Sequence, residues 1–467
     1  GETTGIFQLE SSGMRRYIKD LRPTSIFDLQ AMVALYRPGP MANIPEFIRR
    51  KHNPSLIKYP DPRLSDILKE SYGVITFQDD VLLTAIKVAG YSWLEADKLR
   101  KAIGKKIPSE MKKQHDQFVE GCVANGMNRK SAEQFWVLFE PFAGYGFNKA
   151  HAAGYATIAF RTAYLKAHFP VEFMTALLTA ESRGTTGPDK NEKIAQAIAE
   201  CKRLKVTVFP PDINKSESDF TIEDKINIRF GLAAIKNVGQ AAIKSILDAR
   251  HSGEFDDFED FCFRVDLGPV NKKTIESLIK ASAMDLFGNR ASLLMAYPEI
   301  LEAVHKKRKE VQDGQTSLFG ETDDTGKKSK IAENSIEDFS PNEKLAFEKE
   351  FLGLYLTSHP QLDNLVHIKS IISHEIELLT EEKEGARVKI GGIIESSRRI
   401  FTKKNNNEMA FLVIGNEKGL SVECVVFPRV FEQHKSLLIR DSVIIVEGHL
   451  DTRNDKPTII AEKIFSV

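Results

Sequence analysis

The run Ala34-Leu35-Tyr36-Arg37-Pro38-Gly39-Pro40-Met41 sets how the first part of the chain is read. Pro38-Gly39-Pro40 cannot lie inside a helix, because proline removes a backbone donor and clashes with the preceding turn. The run is therefore expected to be a rigid turn between two helices. Around it the pattern is helical. Met14 to Leu21, Ala85 to Ala102 and Ser131 to Phe142 carry apolar residues at spacings of three and four. Phe160, Ala163, Tyr164, Ala167 and His168 continue this on one helical face, and Pro170 closes that segment. Residues 1 to about 205 are expected to be mostly helix.

The composition is that of an ordinary globular protein. Hydrophobic residues make up 42% and charged residues 28% of the 467, enough for about three domains with cores of their own. No apolar run reaches the roughly 20 residues that span a bilayer, and the start has no signal-peptide pattern. A first residue of Gly1 rather than Met fits a fragment or a trimmed chain. Cys122, Cys201, Cys262 and Cys424 lie far apart with no CxxC pair. Reduced, buried thiols in a cytoplasmic protein are expected, not zinc ligands or a disulfide framework. Lys plus Arg equals Asp plus Glu, 65 against 65, so net charge says nothing for a polyanionic partner. Residues 95–113 nonetheless carry a surplus of four positive charges, and residues 254–260 are acidic. Unlike patches on a balanced total suit a protein that meets a polyanion on one face.

Beyond residue 205 the pattern changes. Thr207-Val208-Phe209 and Ile226 to Phe230 read as short strands around a Pro-Pro turn. Leu232 to Ile243 reads as helix, tight turn with Gly, helix: a helix-hairpin-helix. Asn271 to Lys280, with Ala281 to Asp285, looks like a degenerate second copy. From Lys306 to about Lys344 the chain is polar and is expected to be a linker. From Arg387 five strands are expected: Val388–Ile394, Ala410–Ile414, Leu420–Phe427, Ser442–Val446 and Pro457–Ile464. Val430 to Leu438 reads as helix between the third and fourth. That order matches an OB-fold barrel.

Six blocks carry a more specific signal. They are Phe7-Gln8-Leu9-Glu10-Ser11-Ser12-Gly13-Met14, the Arg37 run above, Tyr72-Gly73-Val74-Ile75, Leu99-Arg100-Lys101-Ala102-Ile103-Gly104-Lys105-Lys106, Phe142-Ala143-Gly144-Tyr145-Gly146-Phe147-Asn148-Lys149-Ala150-His151, and Pro210-Pro211-Asp212-Ile213-Asn214. In this order they resemble the bacterial C-family replicative DNA polymerases, the DNA polymerase III alpha subunits, from the fingers onward. The resemblance implies a multidomain α+β fold. Its expected parts are a mostly helical fingers domain at 1–205, a helix-hairpin-helix and clamp-binding domain at 206–320, a linker with connecting helices at 321–384, and an OB-fold domain at 385–467. It implies a parent that synthesises DNA on a DNA template with Mg²⁺. In that family the catalytic palm precedes the fingers. Neither catalytic nor metal-binding residues are therefore expected in this chain, which alone should be inactive. The implied partners are primer–template DNA, deoxynucleoside triphosphates, the beta sliding clamp and other polymerase III holoenzyme subunits, with no membrane. The alternatives are a non-catalytic DNA-binding and clamp-tethering accessory, and a hydrolase using Asp79-Asp80 and His151.

Candidate site residues come from both the chemistry and the resemblance. Arg and Lys bind a triphosphate through charge-assisted hydrogen bonds. Arg100 and Lys101 are adjacent and should point to somewhat different faces, and Lys105 lies one turn past Lys101. The resemblance implies that Arg100 and Lys101 meet the triphosphate or nearby backbone. For Lys105 and Lys106 a solvated basic face is an equal alternative. Asn148, Lys149 and His151 offer donors at what reads as a helix start. The resemblance places them near nucleotide or template; a tight structural connection is the other reading. Arg37, held by its prolines, either meets phosphate or braces the domain. In the hairpin, the backbone at Asn237, Val238 and Gly239 is expected to meet a DNA phosphate. In the barrel, Arg398, Arg399, Phe401, Lys403 and Lys404 are expected in the loop after the first strand, where OB-folds bind single strands; Phe411 and Phe427 are expected in the core. Gln315, Ser317, Leu318 and Phe319 resemble the peptide by which bacterial polymerases hold the clamp. Asp79-Asp80 and Asp256-Asp257 read as surface or helix-end carboxylates.

Overall fold

A computed structural model describes residues 1–105, 108–137, 147–184, 188–312, 336–357, 365, 368–380, 382–402, 407–416, 421–440, 442–453 and 456–466. The chain forms two compact units, Gly1–Phe169 and Pro170–Val467.

The first unit is helical. Its elements are α1 (Ser12–Leu21), α2 (Ile26–Leu35), α3 (Ile44–His52), α4 (Ser65–Leu68), α5 (Gln78–Ala89), α6 (Trp93–Lys105), α7 (Pro108–Ala124), α8 (Arg129–Val137) and α9 (Lys149–His168). α2 is central. A capping box fixes its start, with Asp28 bonding back to the Ser25 N–H, and Asp28 to Leu35 are all buried. α2 lies against α9, whose buried positions include Ala152, Ala156 and Ala159. Small side chains there let the two backbones come close. The expected turn is present: Gly39 has φ 99° and Pro40 opens a 3₁₀ turn leading to α3.

Two cores flank this pair. One gathers Leu9, Met14, Leu21, Met32, Leu35, Ile44 and Phe47. The other gathers Leu68, Val81, Val88, Leu99, Phe118 and Phe135 from α4 to α8. Val33, Ala34, Phe77, Phe147 and Ala152 form a smaller cluster where α2 and the starts of α5 and α9 meet. Two expectations change here. Ala85 to Ala102 is not one helix, since Gly90 at φ 74° ends α5 and a new helix starts at Trp93. The face of α9 bearing Phe160 and Tyr164 is not its core face, because both rings are 50% exposed. Of Ser131 to Phe142, the part past Val137 lies outside the described residues.

The second unit opens with α10 (Pro170–Gly184) and α11 (Pro188–Arg203). The strands β1 (Thr207–Phe209), β2 (Thr221–Ile222) and β3 (Asn227–Arg229) form a small sheet ordered β1-β3-β2. Val208 pairs in parallel with Ile228, and Ile222 is antiparallel to it. Then come α12 (Gln240–Arg250), α13 (Phe258–Arg264), α14 (Lys272–Lys280), α15 (Arg290–Gln312) and α16 (Pro341–Phe351). One core runs from Val171 to Leu354, with residues of α10, α11, β3 and α12 to α16. A boundary near residue 205 therefore falls inside a core, and α10 and α11 pack with the small sheet and the hairpin region.

The expected linker also begins too early. α15 continues to Gln312, and Arg308 on it donates to the carbonyls of Cys262 and Phe263 at the end of α13.

The last region is a closed barrel ordered β4-β5-β6-β8-β7. Its elements are β4 (Arg387–Phe401), β5 (Glu408–Gly415), β6 (Ser421–Val426), α17 (Pro428–His434), β7 (Val443–Arg453) and β8 (Lys456–Ser466). Five strands with a helix after the third are as expected. Ile390, Leu412, Cys424, Val446 and Ile459 are among its core residues. All four cysteines are buried. Burial pushes the Cys122 thiol up to about 11, and those of Cys262 and Cys424 up to about 12. Among the described residues no helix is long and apolar enough to cross a membrane.

Candidate functional site

The starts of α5 and α9 are locked together. Phe77 and Phe147 form a parallel bridge, and the Gln78 N–H donates to the Phe147 carbonyl at 3.0 Å. Asp79 accepts the Lys149 N–H at 2.9 Å. Asn148 caps α9 by accepting the His151 N–H at 2.8 Å. Gln30 on α2 donates to the Lys149 carbonyl at 3.2 Å. Two positive helix ends and two carboxylates thus meet at one place. Asp80 is buried and accepts the N–H groups of Thr76 and Phe77, both at 2.9 Å. Burial still pushes its carboxyl up to about 6.

Four of the expected residues gather here. The Lys149 ammonium pairs with Glu70 at 3.0 Å, 5.7 Å from the centre of the Phe77 ring. The Arg37 guanidinium lies 3.9 Å from the centre of the Phe147 ring. His151 is exposed and sits between Phe147 at 5.2 Å and Tyr155 at 4.2 Å. The result is an exposed edge with an Arg over an aromatic face, a His in a ladder of rings, and a Lys held by its own carboxylate. The sequence reading missed Gln30 and Glu70 and treated Asp79-Asp80 as a surface or helix-end pair. They are at a helix end, but Asp80 is buried. The available signal was the Asp79-Asp80 pair in the first turn of α5, where carboxylates meet the free N–H groups and positive end of a helix.

Arg100 and Lys101 form a second group. Both reach Asp97 at 2.7 Å, one three and the other four residues before them. They converge on one carboxylate instead of diverging. Lys105 ends α6, and Lys106 lies outside the described residues. Among the described residues no hydrogen bond or ion pair joins this group to Lys149, and no cluster of three His, Cys, Asp or Glu could hold a metal ion.

The hairpin is tighter than expected. Leu232–Ala234 makes one 3₁₀ turn, not a helix. The left-handed residue is Asn237, at φ 66°, while Gly239 is extended at φ −85°. The Asn237 side chain donates to the Ser277 hydroxyl at 3.1 Å, and Thr274 donates to the Asn237 carbonyl at 3.2 Å. The first copy is thus clasped to α14 of the second. Val238 is buried, so its side chain is not presented to a ligand. Gly239 begins α12 with no side-chain cap, and a Cβ there would meet nothing within 4 Å.

In the barrel, Arg398, Arg399 and Phe401 lie on β4, not in the following loop. Arg398 is opposite Phe411 and Arg399 opposite Ala410. Adjacent strand residues point to opposite faces. Arg398 accordingly stacks on Phe411 at 5.2 Å and Arg399 on Phe431 at 5.7 Å. Phe411 is half-buried and Phe427 is 40% exposed; neither belongs to the barrel core. Phe401 is exposed. Lys403, Lys404, Gln315, Ser317, Leu318 and Phe319 lie outside the described residues.

A helical unit is followed along the chain by a helix-hairpin-helix region and an OB barrel, two modules of the multidomain nucleic-acid-binding class. Residues 1–126 match the finger domain of the bacterial DNA polymerase III alpha subunit. Residues 205–293 match a helix-hairpin-helix motif, and residues 388–467 an OB-fold nucleic acid binding domain. The chain is 40% identical over 471 residues to DNA polymerase III subunit alpha of Borreliella burgdorferi, covering 100% of this chain and 40% of that protein. It is 39% identical to that of Bacillus subtilis, covering 99% and 40%. For that of Pseudomonas aeruginosa the identity is 38%, covering 96% and 40%. The chain belongs to the DNA polymerase III alpha subunits, and spans about two fifths of the length of these relatives.

Proposed function

We propose that this chain is the nucleotide-positioning, DNA-holding and clamp-tethering region of a replicative DNA polymerase. The observation that carries this is the similarity to DNA polymerase III alpha subunits along the whole chain. Template-directed synthesis belongs to the parent, with Mg²⁺ held by carboxylates outside this chain. Here Arg100 and Lys101, with Lys105 and Lys106, take the nucleotide triphosphate. Arg37, Lys149 and His151 line its approach, and Asn148 sets the start of the helix that carries two of them. Phosphate must compete with Glu70 for Lys149 and with Asp97 for Arg100 and Lys101, so these cations are held in place before a ligand arrives. The backbone from Asn237 to Gly239 takes a duplex phosphate, and such contacts ignore sequence and weaken with salt. Arg398, Arg399 and Phe401 serve the single strand at the β4 end, together with Lys403 and Lys404, which follow it in sequence.

Gln315 to Phe319 is the proposed clamp peptide. Leu318 and Phe319 each gain about 1.5–3 kcal/mol when a partner pocket buries them. Replacing both with Ala should weaken binding to a bacterial beta sliding clamp at least about a hundredfold, with an unchanged circular-dichroism melt. Surface plasmon resonance checks this, and unchanged binding overturns the assignment.

A further inference from the structure

We propose that Trp93, with Leu94 beside it, is a base-stacking site for single-stranded DNA on the face of α6 that carries the basic residues. This rests on the reading that Arg100 and Lys101 of α6 meet phosphate groups. Trp93 and Leu94 are the most exposed large apolar side chains among the described residues, at 67% and 68%. Scattered apolar residues on a surface are normal. An adjacent pair with this exposure, at the start of a cationic helix, is a different feature.

The helix geometry joins the two. At 100° per residue, Trp93, Asp97 and Arg100 fall within about 60° of one another, and Leu94, Lys98 and Lys101 lie beside them. The opposite side is filled by Ala96, Leu99 and Ile103, all buried. Trp93 to Arg100 is a rise of about 10 Å, the length of about three stacked nucleotides at ~3.4 Å each. A base on the indole therefore leaves the strand's phosphates within reach of Arg100 and Lys101.

The acidic residues of this helix do not oppose such a ligand. Glu95 is turned back onto the Ser92 N–H and onto Gln117, at 2.8 and 3.0 Å. Asp97 is taken up by Arg100 and Lys101. What faces outward is a large ring, a Leu and three cations, two of which share the Asp97 carboxylate, a net positive face that suits a polyanion with exposed base faces.

The chain has two Trp, and Trp136 is buried away from an added ligand, so quenching that W93F abolishes reports on Trp93. Titrating oligothymidylate into the whole chain should quench that emission saturably. Base stacking on an aromatic contributes enough that W93A should weaken binding, read by anisotropy of a labelled oligonucleotide, by roughly tenfold. W93F should keep most of the affinity. The slope of log K against log salt should stay the same in W93A, because no phosphate contact is lost. In R100A/K101A both affinity and slope should fall.

Absence of quenching, or W93A binding within twofold of wild type, overturns the inference. If R100A/K101A still weakens binding in that case, the reading of α6 stands without it; if not, both fall. Light scattering covers the other occupants: a dimer that W93A converts to monomer makes this face a contact between copies and sinks the proposal.

Discussion

Asp80 and Asp28 are both buried carboxylates, yet their chemistry diverges. Burial pulls Asp28 up, but the Thr24 N–H, the Tyr72 hydroxyl and Lys51 more than offset it and hold the carboxyl below the usual range. The Lys51 pair is at 3.0 Å. Asp80 accepts two backbone N–H groups, and burial still lifts it to about 6. Its folded value lies above the ordinary 3.8. The associated stability is present in full below about pH 4 and lost as pH rises through 6. D80N keeps an acceptor for Thr76 and Phe77 but removes the titration. The difference in urea midpoint between wild type and D80N should therefore shift in favour of wild type from pH 7 to pH 4.5. A difference that does not change with pH would show that Asp80 is not protonated on folding. At this scale the sequence exposed Arg37, Lys149 and His151 through their blocks. Glu70 and Gln30 stayed hidden, since they reach Lys149 from 79 and 119 residues away.

At the scale of elements, periodicity located several of the helices and all five barrel strands, while their ends were decided by local chemistry. Gly90 split one expected helix because a left-handed residue ends a helix whatever the apolar pattern on either side. The end of α15 shows the reverse. Its polar composition suggested a linker, but Arg308 gives the last turns a tertiary role by capping α13. R308A leaves those carbonyls without that donor. It should lower stability by about 1–3 kcal/mol and speed amide exchange at the end of α13. Unchanged exchange would mean that the cap is not used in solution. The barrel loop reading failed for a related reason: β4 pairs with β5 as far as Phe401, and a run of Arg and Ser has no apolar alternation to reveal a strand.

For the molecule as a whole, bond formation is proposed to lie elsewhere in the parent polymerase. This chain, given primer–template, deoxynucleotides and Mg²⁺, should add no nucleotide in a gel extension assay. Extension would show that it holds the metal-binding carboxylates after all. By itself the sequence determined the order of the regions, the barrel's strand count and the positions of the cations. Each of these is encoded in short-range pattern, where spacing fixes the backbone and its faces. Only the tertiary structure decided that α10 and α11 share a core with the hairpin region, that Asn237 is clasped to α14, and that Lys149 is held by Glu70. Trp93 and Phe160 likewise point outward by virtue of packing. Those outcomes depend on which distant surfaces exclude water together, and no local period records that.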